Sequence, residues 1–365
     1  MGWPKLVLYP GRIAENASRV TERCSSVGVE VLAVVKGVCA DPRAARAMLD
    51  GGCASFADSR LQNLDRLGRE FPGVPRTLLR IPMRSELEDV PRCAECSLVS
   101  MPESVEGLED CCRSTGATHE VILMFDLGDR REGIPLRREG DMPGDMPELA
   151  LFAEKLKKAS RVKLRGVGAN FGCFAGALPD AGALRRLGRA RAALERELSY
   201  GVPVCSGGST SSLALLERGE LPAEVNQLRV GEAILLGRDI VRGREIPWLN
   251  RDTAFLEAEV AEARVRPSLP EGEIGLDAFG NARTFEDEGP RRRAIVAVGR
   301  QDVPPEGLVP LDAGVKVLGA SSDHTLLDVT EADTPPGWGD VLRFSVSYAA
   351  LLALMTSPYV YKEYR

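Results

Sequence analysis

The sequence predicts an α/β protein: a (β/α)8 (TIM) barrel over residues 1–240, followed by a mostly-β domain over residues 241–365. Three observations predict it. Eight short apolar runs alternate with amphipathic stretches through the first two-thirds of the chain. Beyond about residue 240 the texture changes to β-branched runs punctuated by Gly, Pro and Asp. A chain of 365 residues is too long for one small domain and comfortable for a large barrel with a second domain. An open doubly wound sheet is the structural alternative, and the absence of GxGxxG after the first strand weakens its dinucleotide-binding form.

The strand-like runs are VLAVVK (31–36), CASFAD (53–58), RTLLRIP (76–82), CSLVS (96–100), HEVILMFDLG (119–128), VKLRGVGANF (162–171), PVCSGG (203–208) and EVNQLRVG (224–231). β-Branched and bulky apolar residues dominate several of them, as fully buried parallel strands require. Helix signals lie between. DPRAARAMLDGG offers Asp41 as an N-cap and Pro42 in the first turn. MPESVEGLEDCCRS reads similarly, and LRRLGRARAALERELSYG closes on Gly201 as a C-cap. Residues 137–148 read as a polar loop. The second domain shows RRAIVAVG, VKVLGASS, HTLLDVT and DVLRFSVSYAALLALM, with turn clusters LPEGE, QDVPPEG and TPPGWG between them.

Composition excludes several roles. Apolar residues make up 44% and charged residues 27%, enough apolar surface to offset chain entropy, so disorder is excluded as the main state. A formal charge of -6 argues against a phosphate-backbone partner, hence no nucleic acid. No run reaches 18 uncharged apolar residues, so no membrane span is expected. The opening MGWPKLVLYPGR has no signal-peptide core, so a cytoplasmic location is expected. Nine cysteines at irregular spacing fit free thiols better than a disulfide framework. Cys93, Cys96, Cys111 and Cys112 have the wrong spacing for a thiolate tetrad, and no metal is expected.

Chemistry in such barrels collects at the C-terminal ends of the strands. Strand one ends in Lys36. It is either a surface lysine or an amine whose pKa burial lowers, suited to forming a Schiff base. Strand five ends in a crowd of charge, Asp126, Asp129, Arg130, Arg131 and Glu132. That is either a solvated loop or an arginine placed to grip a phenolate or carboxylate. Strand six brings Asn170, a turn residue or a group that orients a ring. Strand seven ends in two glycines, Ser209 and Thr210, a plain helix cap or a phosphate cradle. Strand eight gives Arg229, with Gly231 following. A lysine, a phosphate cradle and an arginine around one mouth suggest pyridoxal phosphate.

AVVKG, FDLGDRREGI, GVGANFGCFAG, SGGSTSSLAL with NQLRVGEAILLG, and GASSDHTLLDVT, in this order, resemble the fold-type III pyridoxal-phosphate amino-acid racemases. The likeness is to the ornithine racemase branch of the alanine racemase superfamily. It implies a head-to-tail homodimer whose sites are completed by the partner's β domain. It implies that Lys36 carries the cofactor and serves as one of two α-proton bases. It further implies that Arg229 pairs with the pyridine nitrogen, that Ser209, Thr210, Gly231 and Tyr348 hold the phosphate, and that Arg131 lies near the phenolic oxygen. Asp323 would approach the substrate carboxylate. An arginine stays protonated, so the pyridine opposite it stays unprotonated and is a weaker electron sink, which favours reprotonation over transamination.

The chain departs from that pattern at two places. Asn170 stands where the family stacks a histidine, and GEIGLDAFG has Asp277 where a tyrosine base is expected. The second base is therefore open among Asp277, Asp323 and His324. His119 opens strand five and reads as structural. The expected activity is racemisation of ornithine or lysine. The alternatives are an alanine or broad-specificity racemase, or a non-catalytic carrier of the cofactor. A metal-assisted aldolase or dehydratase of this fold is disfavoured, because no cysteine follows Cys205. A decarboxylase is disfavoured by Arg229.

Overall fold

In the computed structural model, which describes residues 2–136 and 146–365, eight strands close into a parallel barrel. Most of the polar loop expected over 137–148 lies outside the described residues, and Pro147 and Glu148 already open the helix Pro147–Lys158. The chain begins with β1 (Lys5–Leu8). The barrel is β2 (Glu30–Val34), β3 (Ser55–Asp58), β4 (Arg76–Leu78), β5 (Cys96–Val99), β6 (His119–Asp126), β8 (Val162–Ala169), β9 (Val204–Ser206) and β10 (Gln227–Val230). A two-residue strand, β7 (Ile134–Pro135), runs parallel beside the end of β6. Each barrel strand pairs in parallel with its neighbours, and β10 closes onto β2 with Arg229 opposite Leu32. These are the eight runs the sequence marks as strands.

Side chains fill the barrel. Cys96 and Leu98 of β5, Ile122 and Met124 of β6, and Val204 of β9 form one buried cluster. β5 and β9 are not neighbours in the sheet, so their contact crosses the interior. Leu32 and Val34 face the same way with Ala57. β2 ends at Val34: Val35 leaves the extended conformation (ψ 3) and Lys36 opens a helical turn at the C-terminal end of the strand.

Capping follows the sequence at some helices and not at others. Asp41 accepts from the amides of Arg43 at 3.0 Å and Ala44 at 3.1 Å, with Pro42 in the first turn. The helix Ala181–Leu198 is capped by Asp180, which accepts from the Ala183 amide at 2.9 Å. It ends on Ser199 in the left-handed region (φ 56), not on Gly201. Glu195 explains the early stop: its carbonyl takes the Ser199 amide and its carboxylate the Val202 amide at 2.9 Å.

The chain divides into two compact units. Gly11–Arg251 holds the barrel, and Met1–Pro10 with Asp252–Arg365 forms the other. The expected border at 240/241 therefore falls short, because the hairpin β11 (Arg238–Asp239) with β12 (Arg244–Glu245) belongs to the barrel unit. The first ten residues leave the barrel as well. β1 pairs antiparallel with β13 (Ala254–Pro267) and parallel with β19 (Tyr361–Tyr364). Its Leu6, Val7 and Leu8 are buried.

The rest of this sheet is β14 (Pro290–Val296), β15 (Leu308–Pro310), β16 (Lys316–Ala320), β17 (Thr325–Asp328) and β18 (Val341–Val346), in the order β15-β18-β13-β14-β17-β16. The run DVLRFSVSYAALLALM is strand only in its first half. Ser347 then caps the helix Tyr348–Thr356 through a 3.2 Å bond from the Ala350 amide. No helix among the described residues is long and apolar enough to cross a membrane.

Candidate active site

A buried arginine stands near the C-terminal end of the last barrel strand. Arg229, near the end of β10, is 3% exposed. Its Nη1 donates to Ser206 Oγ, and its Nη2 donates to the Ala169 carbonyl at 2.6 Å and to Asn170 Oδ1 at 3.0 Å. All three acceptors are neutral, so burial dominates and pushes the guanidinium down to about 10. Gly168 makes room for it: a Cβ there would come within 3.3 Å of Arg229 Nη1 and 3.0 Å of Met124 Sδ.

Lys36 opens a single helical turn after β2 and is half-buried. Desolvation lowers its pKa, and the cations Arg131 and Arg229 lower it further against Cys173 and Asp58. Asp58, at the end of β3, is fully buried and accepts Asn63 Nδ2 on both oxygens at 3.1 Å. Burial raises its pKa against hydrogen bonds from Asn63 and the loop amides and against the charge of Lys36. Two of these groups, Asp58 and Cys173, are absent from the sequence-derived set. Asp58 could have been found by its place as the last residue of a strand. Cys173 is three residues past Asn170 and exposed in the loop after β8.

The charged loop after β6 sorts into two kinds of residue. Asp126 and Asp129 are structural. Asp126 accepts the amides of Gly128 and Arg130 at 2.9 and 3.1 Å. Asp129, 2% exposed, gathers the amides of Cys173, Phe174 and Ala177 and so fixes the loop after β8. Arg131 and Glu132 form a bidentate ion pair, and Glu132 also accepts from the Asn170 side-chain amide. Arg131, Asn170 and Arg229 are thus joined through hydrogen bonds.

The loops after β9 and β10 meet. Gly208 has φ +100, and a Cβ there would strike Ser212 Oγ at 2.8 Å and Phe171 at 2.9 Å. A Cβ on Gly231 would lie 2.9 Å from the Val34 carbonyl, so the loop after β10 needs its glycine for close approach to β2. Ser209 precedes the turn Thr210–Ser212 but its side chain makes no capping bond. Thr210 Oγ1 accepts from the Ala233 amide at 3.1 Å, which leaves its own proton to donate. Ser211 Oγ is buried with no hydrogen-bond partner among the described residues. Lys36, Arg131, Asn170, Ser209, Thr210, Arg229 and Gly231 therefore all stand on strand ends or loops at one end of the barrel.

Tyr348, Asp277, Asp323 and His324 belong to the other unit. Tyr348 opens the helix Tyr348–Thr356. Asp323 and His324 lie in the hairpin loop between β16 and β17, closed by the Ser321 amide on the His324 carbonyl at 2.8 Å. Asp323 accepts from Gln301 Nε2 at 2.7 Å and Ser322 Oγ at 2.8 Å. Asp277 accepts the amides of Phe279 and Asn281 at 2.9 Å and Arg283 Nε at 3.2 Å. These bonds, led by the Asn281 amide, hold its carboxyl down to about 2, which makes it a weak proton acceptor. His119, by contrast, is a core residue in β6, 2% exposed and bonded to Ser97 Oγ at 2.9 Å.

The chain matches the family model "Alanine racemase, N-terminal domain" over residues 9–239. It is 39% identical to a lysine racemase of Thermotoga maritima over 365 residues, covering 100% of this chain and 99% of that protein. It is 37% identical to an ornithine racemase of Acetoanaerobium sticklandii, covering 99% of each. Among solved structures, the alanine racemase of a D-cycloserine-producing Streptomyces lavendulae superimposes with a TM-score of 0.73 at 18% identity, covering 100% of this chain and 97% of that one. The alanine racemase of Bartonella henselae with covalently bound pyridoxal phosphate gives 0.71 at 17% identity, covering 99% of both chains. A D-threonine aldolase of Filomicrobium marinum gives 0.71 at 17% identity, covering 97% of this chain and 88% of that one, so the fold is shared across reactions. The likeness to the two named racemases runs the full length, and by its N-terminal barrel this chain belongs to the alanine racemase family.

Proposed function

We propose that this protein is a pyridoxal-phosphate-dependent amino-acid racemase acting on ornithine or lysine. The observation that carries the reading is the pairing, at one barrel mouth, of an amine whose pKa is lowered with a buried guanidinium that meets only neutral acceptors. The donor set fits the cofactor. Lys36 has no hydrogen-bond or ion-pair partner among the described residues, as an amine reserved for covalent capture requires. Ser209, Thr210 and Gly231 offer hydroxyls and backbone beside the uncommitted Ser211 hydroxyl, a set suited to a phosphate. Arg229 is the partner for a ring nitrogen and Asn170, bonded to it, fixes its orientation.

When bound, pyridoxal phosphate supplies an aldehyde for the substrate amine and an electron-withdrawing ring that acidifies the Cα–H bond. The protein's task is to move that proton. Lys36 is suited to take it, because its lowered pKa leaves more of it as free amine near neutral pH. Lys36 returning the proton to the same face would only restore the starting enantiomer. Inversion therefore needs a second acid on the opposite face. In the β unit, Asp323 and His324 share one exposed hairpin, whereas Asp277 is held strongly acidic. His324 is the better choice for the second acid, since an imidazole offers both a donor and an acceptor nitrogen. In this reading Arg131 meets a substrate carboxylate or the phenolic oxygen. The reading includes a homodimer, with the β unit of one copy completing the site of the other. Exposed Leu276 and Phe279 beside the Asp277 turn support an interface there.

Chiral chromatography tests the activity. Purified protein loaded with pyridoxal phosphate should convert L-ornithine or L-lysine to an equal mixture of enantiomers, and Lys36→Ala should convert neither. Conversion of alanine alone would sink the substrate assignment. Undiminished conversion by Lys36→Ala would sink the role of Lys36.

A further inference from the structure

One carboxylate ties the strand ends of the barrel mouth together. Glu132 follows β6 with its side chain 15% exposed. It takes a bidentate fork from Arg131, and the same carboxylate accepts from Asn170 Nδ2. Asn170 Oδ1 accepts from Arg229 Nη2 at 3.0 Å. Three strand ends, those of β6, β8 and β10, are thus joined by one chain of hydrogen bonds, with its single carboxylate between two guanidiniums.

The order of donors in that chain has a physical consequence. A guanidinium only donates, so Asn170 must turn Oδ1 toward Arg229. Its Nδ2 then points the other way and needs an acceptor. Glu132 is that acceptor. Without it, Asn170 keeps an unpaired donor or turns, and a turned amide presents N–H against N–H at Arg229. Arg131 loses its fork at the same time and becomes free to move. We propose that Glu132 is a positioning residue: it fixes the Asn170 amide and through it holds Arg229, while anchoring Arg131 from its other side. This rests on the reading of the mouth as the site for pyridoxal phosphate.

A double-mutant cycle on cofactor affinity tests it, with Glu132→Met, Asn170→Ala and the double variant. The dissociation constant of pyridoxal phosphate is measured by titration of tryptophan fluorescence, with thermal midpoints and racemisation rates alongside. Each single change should weaken binding about tenfold, and the double change no more than about twentyfold, because both break the same chain. Glu132→Gln keeps one acceptor oxygen and should recover part of the affinity. It also carries the cycle if the Met variant fails to fold. Unchanged affinity in the folded Glu132 variants would overturn the proposal. So would a double effect near a hundredfold, which means the two residues act independently. Wild-type protein that neither binds pyridoxal phosphate nor racemises overturns the underlying reading first, and that outcome is visible before any variant is made.

Discussion

Replacing Glu232 by glutamine should stabilise the protein in alkali and leave it unchanged in acid. Glu232 opens the short helix Glu232–Leu236, next to Gly231. It is partly buried, takes the Ile240 amide at a long 3.4 Å, and faces Asp239, which is fully buried, with Arg238 opposing. Burial first, then Asp239, moves its carboxyl from 4.5 to about 7. The folded pKa is raised, so the folded chain keeps a proton that the unfolded chain releases. Stability from this group is complete below pH 4.5, falls as pH rises toward 7, and is lost above it. The full shift corresponds to about 3 kcal/mol, and solvent screening of a partly exposed group reduces it to about 1–2 kcal/mol. Glutamine keeps the length and the acceptor for Ile240 but carries no charge. The thermal midpoint of the apoprotein at pH 8.5 should therefore rise by roughly 1–3 °C, with no change at pH 4.5. An equal rise at both values would mean that packing, not charge, is responsible. A fall at pH 8.5 would refute the argument.

Three further outcomes follow from other buried groups. Burial pushes His119 down to about 4, so its contribution is present above pH 6.5 and lost as pH falls toward 4. His119→Gln, compared with wild type by urea titration across that window, should remove about 2–3 kcal/mol of acid sensitivity, and an unchanged slope would contradict the assignment. Gly208→Ala forces a side chain into φ +100 against Ser212 and Phe171, and should cost about 2 kcal/mol or more and loosen cofactor binding; a wild-type midpoint and affinity would count against the tight approach of these loops. Arg229→Glu replaces a donor by a group that invites a proton onto a ring nitrogen. Racemisation should fall at least about tenfold while a 2-oxo acid forms, up to one equivalent per bound cofactor because its amino group passes to the cofactor, and continued racemisation without that product would show that the guanidinium does not set the reaction type.

Much of the barrel was legible because its strands are buried on both faces and read as unbroken apolar runs. The position of Lys36 and Arg229 at strand ends was legible for a related reason: a long cation closing such a run has to be either solvated at the mouth or specially held. What escaped depends on distant partners. β1 finds β13 and β19 at the far end of the chain, and no local pattern announces that pairing. The helix Tyr348–Thr356 is apolar on most faces, so it carries no helical period to separate it from the strand before it. Ser199 replaced Gly201 as the terminal left-handed residue because the Glu195 side chain reaches forward to Val202. In the site, Glu132 looked like one charge in a crowd until Asn170, on another strand, supplied its second partner. Asp277 looked like a base until its turn showed how many donors it already accepts.

The most direct test of the central claim is α-proton exchange in deuterated water. Protein loaded with pyridoxal phosphate is incubated with L-ornithine or L-lysine, and the α-proton signal is followed by NMR while the enantiomers are separated. The account predicts loss of that signal together with a D-enantiomer carrying deuterium at Cα, both absent in Lys36→Ala. Persistence of the α-proton in both amino acids, with the cofactor demonstrably bound, would contradict it.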